Sequence, residues 1–558
     1  MNDPRVPESR GPGGGEGDSG RGWGLILVVA AGILFFVGLG ARDLWNPNEP
    51  LYGRAVAEMA QSGDWLVSTV NGRDFAEKPA LYYWLALGSA KALGGVNELT
   101  LRLPAALAGV LGVLGLFALV KAYAGARRAA LAAAALATTY MYFWSARALQ
   151  MDILVTVTTL FAVGAVVRVF DLGARPAAGW AAAGLATGLG FLAKGPVGLI
   201  CPGLVVLVYL ALTRRLKELR IGHLLVAAAV FLALAVPYVG ALWLAGKTAF
   251  LSEMLFRQNV TRFLGAWDHR HPWWYYLEYL FIDMAPWALL LPAAAWLPRE
   301  GEREKRLATL AWIWIAAVLV FFSLSDSKRS PYILPVAPAV AILTSDVLER
   351  IWTGASLSRR RAWWCGGLAA AVATLLAAAG LFALLRTSAL PIPPPFVSVT
   401  NQAAALLVLA GGLVLAALLR PPRRRVVAAV FAALFCLYTF TASAALPALN
   451  AVKSSRAFCE EVSKLQQATG AELLSFGLWE WRASYIYYLD RNVPNITDPA
   501  ELATVWRSGR NVLLIVEDER VDDARKVMGD AEPLASSRVG SGRVFLFGNG
   551  KPGLDGGR

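Results

Sequence analysis

WNPNEPLYGRAVAEMAQSGDWLVSTVNGRDFAEKPALYYW, Trp45–Trp84, follows the first long apolar run of a 558-residue chain, and the fold turns on how it is read. The stretch is rich in Asn, Asp, Glu, Lys and aromatic residues. Hydrocarbon offers their polar atoms no partners, so the stretch must sit at an aqueous face of a membrane. Tyr52 to Met59 has helical spacing and an Ala-rich composition, which predicts short interfacial helices rather than disorder. Two patterns mark its ends: Asn48-Glu49 just past the first span and Glu77-Lys78-Pro79 just before the second.

The rest of the chain agrees with a membrane setting. It is 57% hydrophobic and only 16% charged, with a mean hydropathy of +0.50, well outside the range of soluble domains. A formal net charge of +14 does not point to nucleic acid, because Lys and Arg gather in short clusters between apolar runs instead of along one basic face. Met1 to Arg21 is Gly-rich and polar, and no small-residue cleavage pattern follows the first apolar run. The N-terminus is therefore expected to be a short disordered cytoplasmic tail and not a cleaved signal. Four cysteines without a CxxC spacing indicate neither a disulfide framework nor a thiolate metal site.

Apolar runs long enough to span recur from near Gly24 to about Leu446, and their count is about thirteen. Basic clusters at Lys121–Arg128, Arg214–Arg220, Arg299–Arg306, Arg359–Arg361 and Arg420–Arg425 fall in every second connection. The positive-inside rule makes those connections cytoplasmic, which puts the N-terminus inside and the C-terminus outside. The expected organisation is a tail over residues 1–22, a membrane domain over 23–446 with large external loops at 42–98 and 245–280, and an external, periplasm-like domain over 447–558. In that last region Ala471–Phe476, Tyr485–Leu489, Val512–Val516 and Arg543–Phe547 read as strands. Ser454–Ala468 and Pro499–Trp506 read as helices, giving a small α/β domain that would cover or orient a membrane site.

The chemically suggestive residues all fall on the external side. Asp268-His269-Arg270-His271 is an HxH spacing beside a carboxylate, which suits either a divalent ion or interfacial polar packing. Asp152, at the outer end of the fourth span and within a turn of Arg147, is either that arginine's ion-pair partner or a functional carboxylate. Glu49, Glu77 and Asp152 converge on one membrane face, an arrangement suited to acid/base or metal chemistry. Lys78, Lys194, Arg262 and Lys328-Arg329 are external cations against the positive-inside bias, and they suit a lipid phosphate or plain headgroup contact. Trp45, Trp65, Tyr82, Tyr83, Trp84, Trp267 and Trp273–Tyr276 form an interfacial aromatic belt, some of which can stack on sugar rings; Tyr52 and Tyr82 are the candidate substrate contacts.

PNEPLYGRAVAEMAQSGDWLVSTVNGRDFAEKPALYYWL resembles the first external loop of the lipid A aminoarabinose transferases. These belong to the wider family of polyprenyl-phosphate-sugar glycosyltransferases that includes the protein O-mannosyltransferases. SARALQMD, GLGFLAKGPVG, TRFLGAWDHRHPWWYYL and FFSLSDSKRSPYILPVAPA resemble later motifs of the same family, in the same order, and together they cover most of Leu44 to Leu343. The resemblance implies a polytopic, GT-C-like membrane glycosyltransferase. Such an enzyme takes a sugar from an undecaprenyl-phosphate carrier and moves it to an envelope glycolipid, glycan or protein at the periplasmic face of the inner membrane. It also implies that Lys78 and Tyr332, assisted by Arg262 or Lys328, hold the carrier phosphate, and that Glu77 with His269 or His271 holds a divalent metal ion. The chain departs from the family where the motif opens: Asn48 stands in the position of the family's Asp, and Leu51 in that of its Arg. Glu49, Asp152 and Asn48 are accordingly the candidate catalytic residues. Two other readings stay open, a transporter and a degenerate member that binds carrier lipid without turnover.

Overall fold

The computed structural model describes residues 16–265, 269–295, 297–355, 358–386, 393–478 and 483–550, so Trp267 and Asp268 lie outside the described residues. Among these residues nine helices are long and apolar enough to cross a membrane; a tenth crossing results if Tyr275–Asp283 and Trp287–Ala294, bent by 104°, form one broken span. Gly22–Phe36 and Val197–Leu212 are shorter apolar helices. Glu98–Ala137, at 40 residues, is too long for one crossing and breaks at Gly125, whose φ of 82° and ψ of 171° lie outside helical values. That turn falls in the basic Lys121–Arg128 cluster.

Burial separates core from wall. The span windows of Ser330–Thr353 and Asp152–Leu172 are 89% and 72% buried, whereas those of Ile221–Leu244 and Arg359–Arg386 are each 11% buried. Each of these last two packs mainly on one neighbouring helix and leaves the rest of its apolar span uncovered, the composition of a lipid-facing surface.

The second long helix begins later than the sequence suggested. After Pro79 the chain forms Leu81–Leu93, a helix of 13 residues that ends on Gly94 in the left-handed region. At about 20 Å this helix is too short to cross hydrocarbon. The chain restarts at Glu98 through a capping box, with Asn97 accepting from the Leu99 and Thr100 amides and Thr100 Oγ accepting from the Asn97 amide.

Two buried carboxylates tie the helices together far from the loop of residues 42–98. Asp171 accepts from Tyr123 and Tyr209 at 2.9 and 2.8 Å and pairs with Arg215 at 2.8 Å. Asp346 pairs with Arg299, Arg128 and Arg350 at 2.8 to 3.3 Å. Asp171 stands nearly the full length of the Asp152–Leu172 helix from Asp152, about 28 Å by helical rise. The basic clusters therefore collect at one end of the bundle and the acidic, aromatic loop at the other.

The C-terminal region is a five-stranded sheet in the order Asn495–Ile496, Glu472–Phe476, Val512–Glu517, Gly542–Gly548, Ala535–Val539. The first two junctions are parallel and the last two antiparallel. Helices Arg456–Thr469, Pro499–Trp506 and Val521–Met528 accompany the sheet. The stretch expected as a strand at Tyr485–Leu489 is instead the helix Ser484–Tyr488. Its aromatic, β-branched composition favours a strand, yet Tyr485 is buried against Phe458 and donates to Glu517 at 3.0 Å, so the tertiary setting overrides propensity.

This domain grips the 42–98 loop. Arg54, 2% exposed, donates to Glu58 at 2.8 Å, Asp490 at 3.1 Å and Asn492 at 2.9 Å. The Asn71 side chain and the Val493 backbone exchange hydrogen bonds in both directions. Arg456 pairs with Asp43 and Glu98.

Candidate functional site

At the loop end of the bundle a pocket is lined by Asn48, Tyr52, Lys78, Gln150, Met151, Asp152, Lys194, Arg329, Pro331 and Tyr332. Separate elements deliver these residues. Asn48 is the first residue of the Asn48–Ser62 helix, and Tyr52 follows one turn later on the same face. Lys78 follows a short hairpin, Thr69–Val70 with Arg73–Asp74, and precedes the Leu81–Leu93 helix. Asp152 opens the Asp152–Leu172 helix, where the positive end of the helix dipole favours a carboxylate. Lys194 closes the Pro176–Lys194 helix, where a cation suits the negative end.

Asp152 and Lys194 meet across the pocket at 2.5 Å, and the Lys194 ammonium also stands 4.5 Å from the Tyr332 ring centroid. The sequence left Arg147 as a candidate partner for Asp152. Arg147 instead donates to the Leu34 and Val37 carbonyls at 2.8 and 2.7 Å, satisfying the C-terminal end of the first helix.

Lys78 is 16% exposed and lies 4.0 Å from the Glu77 carboxylate. Burial pushes its ammonium down to about 8; Glu77 opposes this, while Lys194, Arg262 and Arg329 push the same way. A cluster of cations with one of them lowered is a site short of negative charge. Tyr52, buried, donates to Glu77 at 3.5 Å, and burial followed by the Glu77 charge holds its phenol well above the usual range.

Glu49 is not among the lining residues. Its carboxylate is held by Arg42 at 2.6 Å, by Arg102 at 2.8 and 2.9 Å, and by the Leu149 amide at 2.9 Å, and the residue is 5% exposed. Burial by itself would raise its pKa, but Arg102 and Arg42 outweigh that and hold it at about 2. Arg102 further donates to the Leu39, Arg42 and Asp43 carbonyls, so one guanidinium ties the end of the first span to the second. The structure thus gives Glu49 an architectural position, and Asp152 is the carboxylate that lines the pocket.

The other expected site residues divide. Tyr332 lines the pocket, but Lys328 does not: it is 5% exposed and its ammonium donates to the Ser325 carbonyl at 2.5 Å. Arg329 takes that place: it is the extended N-cap of the 3-10 helix Ser330–Val336 and lines the pocket with Tyr332. Arg262 lies beside the pocket, near Ser327 and Gln258 at 3.4 and 3.5 Å. Tyr82 is fully buried and donates to the Leu101 carbonyl at 3.1 Å, so it is a core residue rather than a substrate contact.

Among the described residues no group of three or more His, Cys, Asp or Glu stands close enough to hold a metal ion. His271 stacks on Tyr275 with centroids 4.4 Å apart. The His269 carbonyl accepts from the Lys328 amide. Glu77 is engaged with Tyr52 and Lys78. Glu77, His269 and His271 thus form no such three-residue group among the described residues.

Lys194 and Arg329 stood out in the sequence as external cations, whereas Met151 and Gln150 were the least legible of the lining residues. Gln150 has a buried side-chain oxygen without a hydrogen-bond partner and lies two residues before Asp152. That proximity was its only signal.

Residues 77–240 match the family model described as dolichyl-phosphate-mannose-protein mannosyltransferase. The undecaprenyl phosphate-alpha-4-amino-4-deoxy-L-arabinose arabinosyl transferase of Pseudomonas aeruginosa is 32% identical over 343 residues, 60% of this chain and 61% of that protein. A Pseudomonas fluorescens counterpart is 32% identical over 340 residues, covering 59% and 57% of the two chains. The chain thus spans about three fifths of the length of these relatives. The crystal structure of ArnT from Cupriavidus metallidurans bound to undecaprenyl phosphate superposes with a TM-score of 0.78 at 23% identity, covering 96% of this chain and 99% of that one. By sequence over three fifths of its length, and by fold over nearly all of it, the chain resembles the polyprenyl-phosphate-sugar glycosyltransferases, the aminoarabinose transferases among them.

Proposed function

We propose that the chain is a membrane glycosyltransferase. It takes a sugar from an undecaprenyl-phosphate carrier at the outer face of a bacterial inner membrane and passes it to an envelope acceptor, a lipid A-like glycolipid, a glycan or a protein. The observation that carries this reading is the pocket, where Lys78, Lys194 and Arg329 converge with Tyr332 on the single carboxylate of Asp152. Glycosyl transfer builds oxocarbenium character on the sugar and negative charge on the departing carrier phosphate. Donors already aimed at that phosphate stabilise the transition state without reorganising. In this reading Lys78, Arg329 and the Tyr332 hydroxyl receive the phosphate, and Arg262 adds positive potential from the side. Asp152, oriented by Lys194, faces the acceptor and either takes its proton or aligns it. Asn48 contributes a neutral amide where the family has a carboxylate.

The topology proposed with it has thirteen crossings. The bent Tyr275–Ala294 pair, the two shorter apolar helices and the two halves of Glu98–Ala137, the second extended by Tyr140–Ser145, each count as crossings beside the long spans. The N-terminus is then cytoplasmic, and the sheet domain and the pocket face the periplasm. The ionisable groups of the pocket sit at helix ends and not at mid-membrane, which favours an enzyme over a transporter.

The test is transfer by the purified chain in lipid nanodiscs, given undecaprenyl-phosphate-linked sugars carrying a radiolabel and extracted envelope glycolipids, glycans and proteins. Label appearing on an envelope acceptor is the expected result. Absence of transfer and of carrier binding would overturn the reading; binding without transfer would identify a degenerate member.

A further inference from the structure

Arg329 and Tyr332 lie on a strap, Ser325–Val336, that follows the Glu302–Ser323 span and includes the 3-10 turns opening the Ser330–Thr353 span. One edge of the strap is held by a backbone bridge between Arg270 and Ser327 and by the Lys328 amide donating to His269. The other edge rests on the bent helix pair, and there the contacts are made by side chains. Tyr276, fully buried, accepts from the Arg329 amide at 3.1 Å and donates to the Arg329 carbonyl at 3.3 Å. Asp283, 1% exposed, accepts from the Ser330 hydroxyl at 2.8 Å.

A carboxyl group this deeply buried, with one hydroxyl as its hydrogen-bond partner, is costly for the fold. Packing does not require it, since an apolar side chain of the same volume would fill the space. What Asp283 and Tyr276 do have in common is their target: consecutive residues, Arg329 and Ser330, on the turn that presents a cation and a phenol to the pocket. Displacement of a charged donor by about 1 Å is enough to forfeit most of its catalytic contribution.

We propose that Asp283 and Tyr276 are positioning residues that fix the Arg329–Tyr332 turn for the carrier phosphate. The bent helix pair supplies a rigid back-stop for the phosphate-binding edge of the site. The inference rests on the functional reading above, so its test uses direct binding of undecaprenyl phosphate to the purified chain in nanodiscs alongside transfer kinetics. Asp283→Ala and Ser330→Ala each remove the Ser330–Asp283 hydrogen bond, and Tyr276→Phe removes both hydrogen bonds to the Arg329 backbone. Each is expected to weaken undecaprenyl phosphate binding about tenfold, and to raise KM for the carrier-linked donor by a similar factor, the scale of one charge-assisted contact. Asp283→Asn keeps an oxygen acceptor for Ser330 and should stay within about threefold of wild type on that scale. If the residues act through Arg329, Arg329→Ala combined with Asp283→Ala is no weaker than Arg329→Ala alone, a non-additivity that a general loss of stability does not produce. Additive losses, or folded Ser330→Ala and Tyr276→Phe proteins that bind as wild type does, would overturn the proposal even if Asp283→Ala fails to fold. Absence of carrier binding by wild type would instead sink the functional reading.

Discussion

Asn48 and Glu49 are adjacent, yet one faces the pocket and the other is locked between Arg42 and Arg102. Asp152→Asn should therefore reduce transfer at least a hundredfold, the scale for losing a general base, with an unchanged melting temperature. Glu49→Gln should act on the fold, since two buried guanidiniums lose their counter-charge at a cost of about 3–5 kcal/mol. Calorimetry beside turnover assays checks the pair: a stable, inactive Glu49→Gln protein would reverse the assignment. The same lock predicts a pH dependence of stability. The Glu49 carboxyl is held at about 2 against an ordinary 4.5, so its contribution is fully present above the unfolded value. It is lost as pH falls through the folded one, a swing of about 3 kcal/mol read in acid-unfolding curves. Lys78 gives the opposite limb, because only its charged form binds phosphate and burial holds it at about 8. Donor kcat/KM should fall above that pH, and Lys78→Arg should move the fall to higher pH; a wild-type profile flat through that region would remove Lys78 from phosphate binding. Lys78→Ala should cost about 30- to 1,000-fold in rate at neutral pH. The types of these residues were legible because polar groups at a membrane face need a reason. Which carboxylate faces the pocket was not, since Glu49 meets Arg102 through a contact 53 residues apart in sequence.

The Asn48–Ser62 helix carries Asn48 and Tyr52 into the pocket and presents Arg54 to the C-terminal domain. Arg54→Met removes its polar contacts to Asp490 and Asn492 and should loosen this helix while leaving the sheet domain intact. Hydrogen exchange should rise over residues 48–62 and stay unchanged over Val512–Glu517; equal change in both, or none, would show that the clamp does not hold the helix. Ala-rich helical spacing made this element readable, as the continuous apolar run Val512–Val516 between polar residues made its strand readable. The Leu81–Leu93 helix was less readable, because an apolar run near a polar loop looks like the start of a span until Gly94, Gly95 and the Asn97 cap are given their weight. The Ser484–Tyr488 helix was unreadable from local composition, which favours a strand, and its identity came from burial against Phe458.

For the molecule as a whole, the proposed sidedness predicts that reporter tags inserted after Arg425 and after Gly550 lie on opposite faces of the membrane. A cytoplasmic Gly550 tag would overturn the thirteen-crossing topology. Hydropathy and basic clusters made the overall class legible, since each span is a local property of about twenty residues. The grip of the last domain on the first loop was not, because it joins residues more than 400 positions apart: Asp43 to Asn450, Arg54 to Asp490, Asn71 to Val493. Those long-range closures have a consequence for biosynthesis. The ribosome delivers the first loop early and its clamp last, about 20 to 80 s later at ordinary rates of elongation. Until the sheet domain has been made, the first loop lacks the partners that hold Arg54 and Asn71 in place. A half-made chain therefore carries the helix that bears Asn48 and Tyr52 without the Asp490, Asn492 and Val493 contacts that brace its loop, and the site gains its full support only when the sheet domain has folded against it.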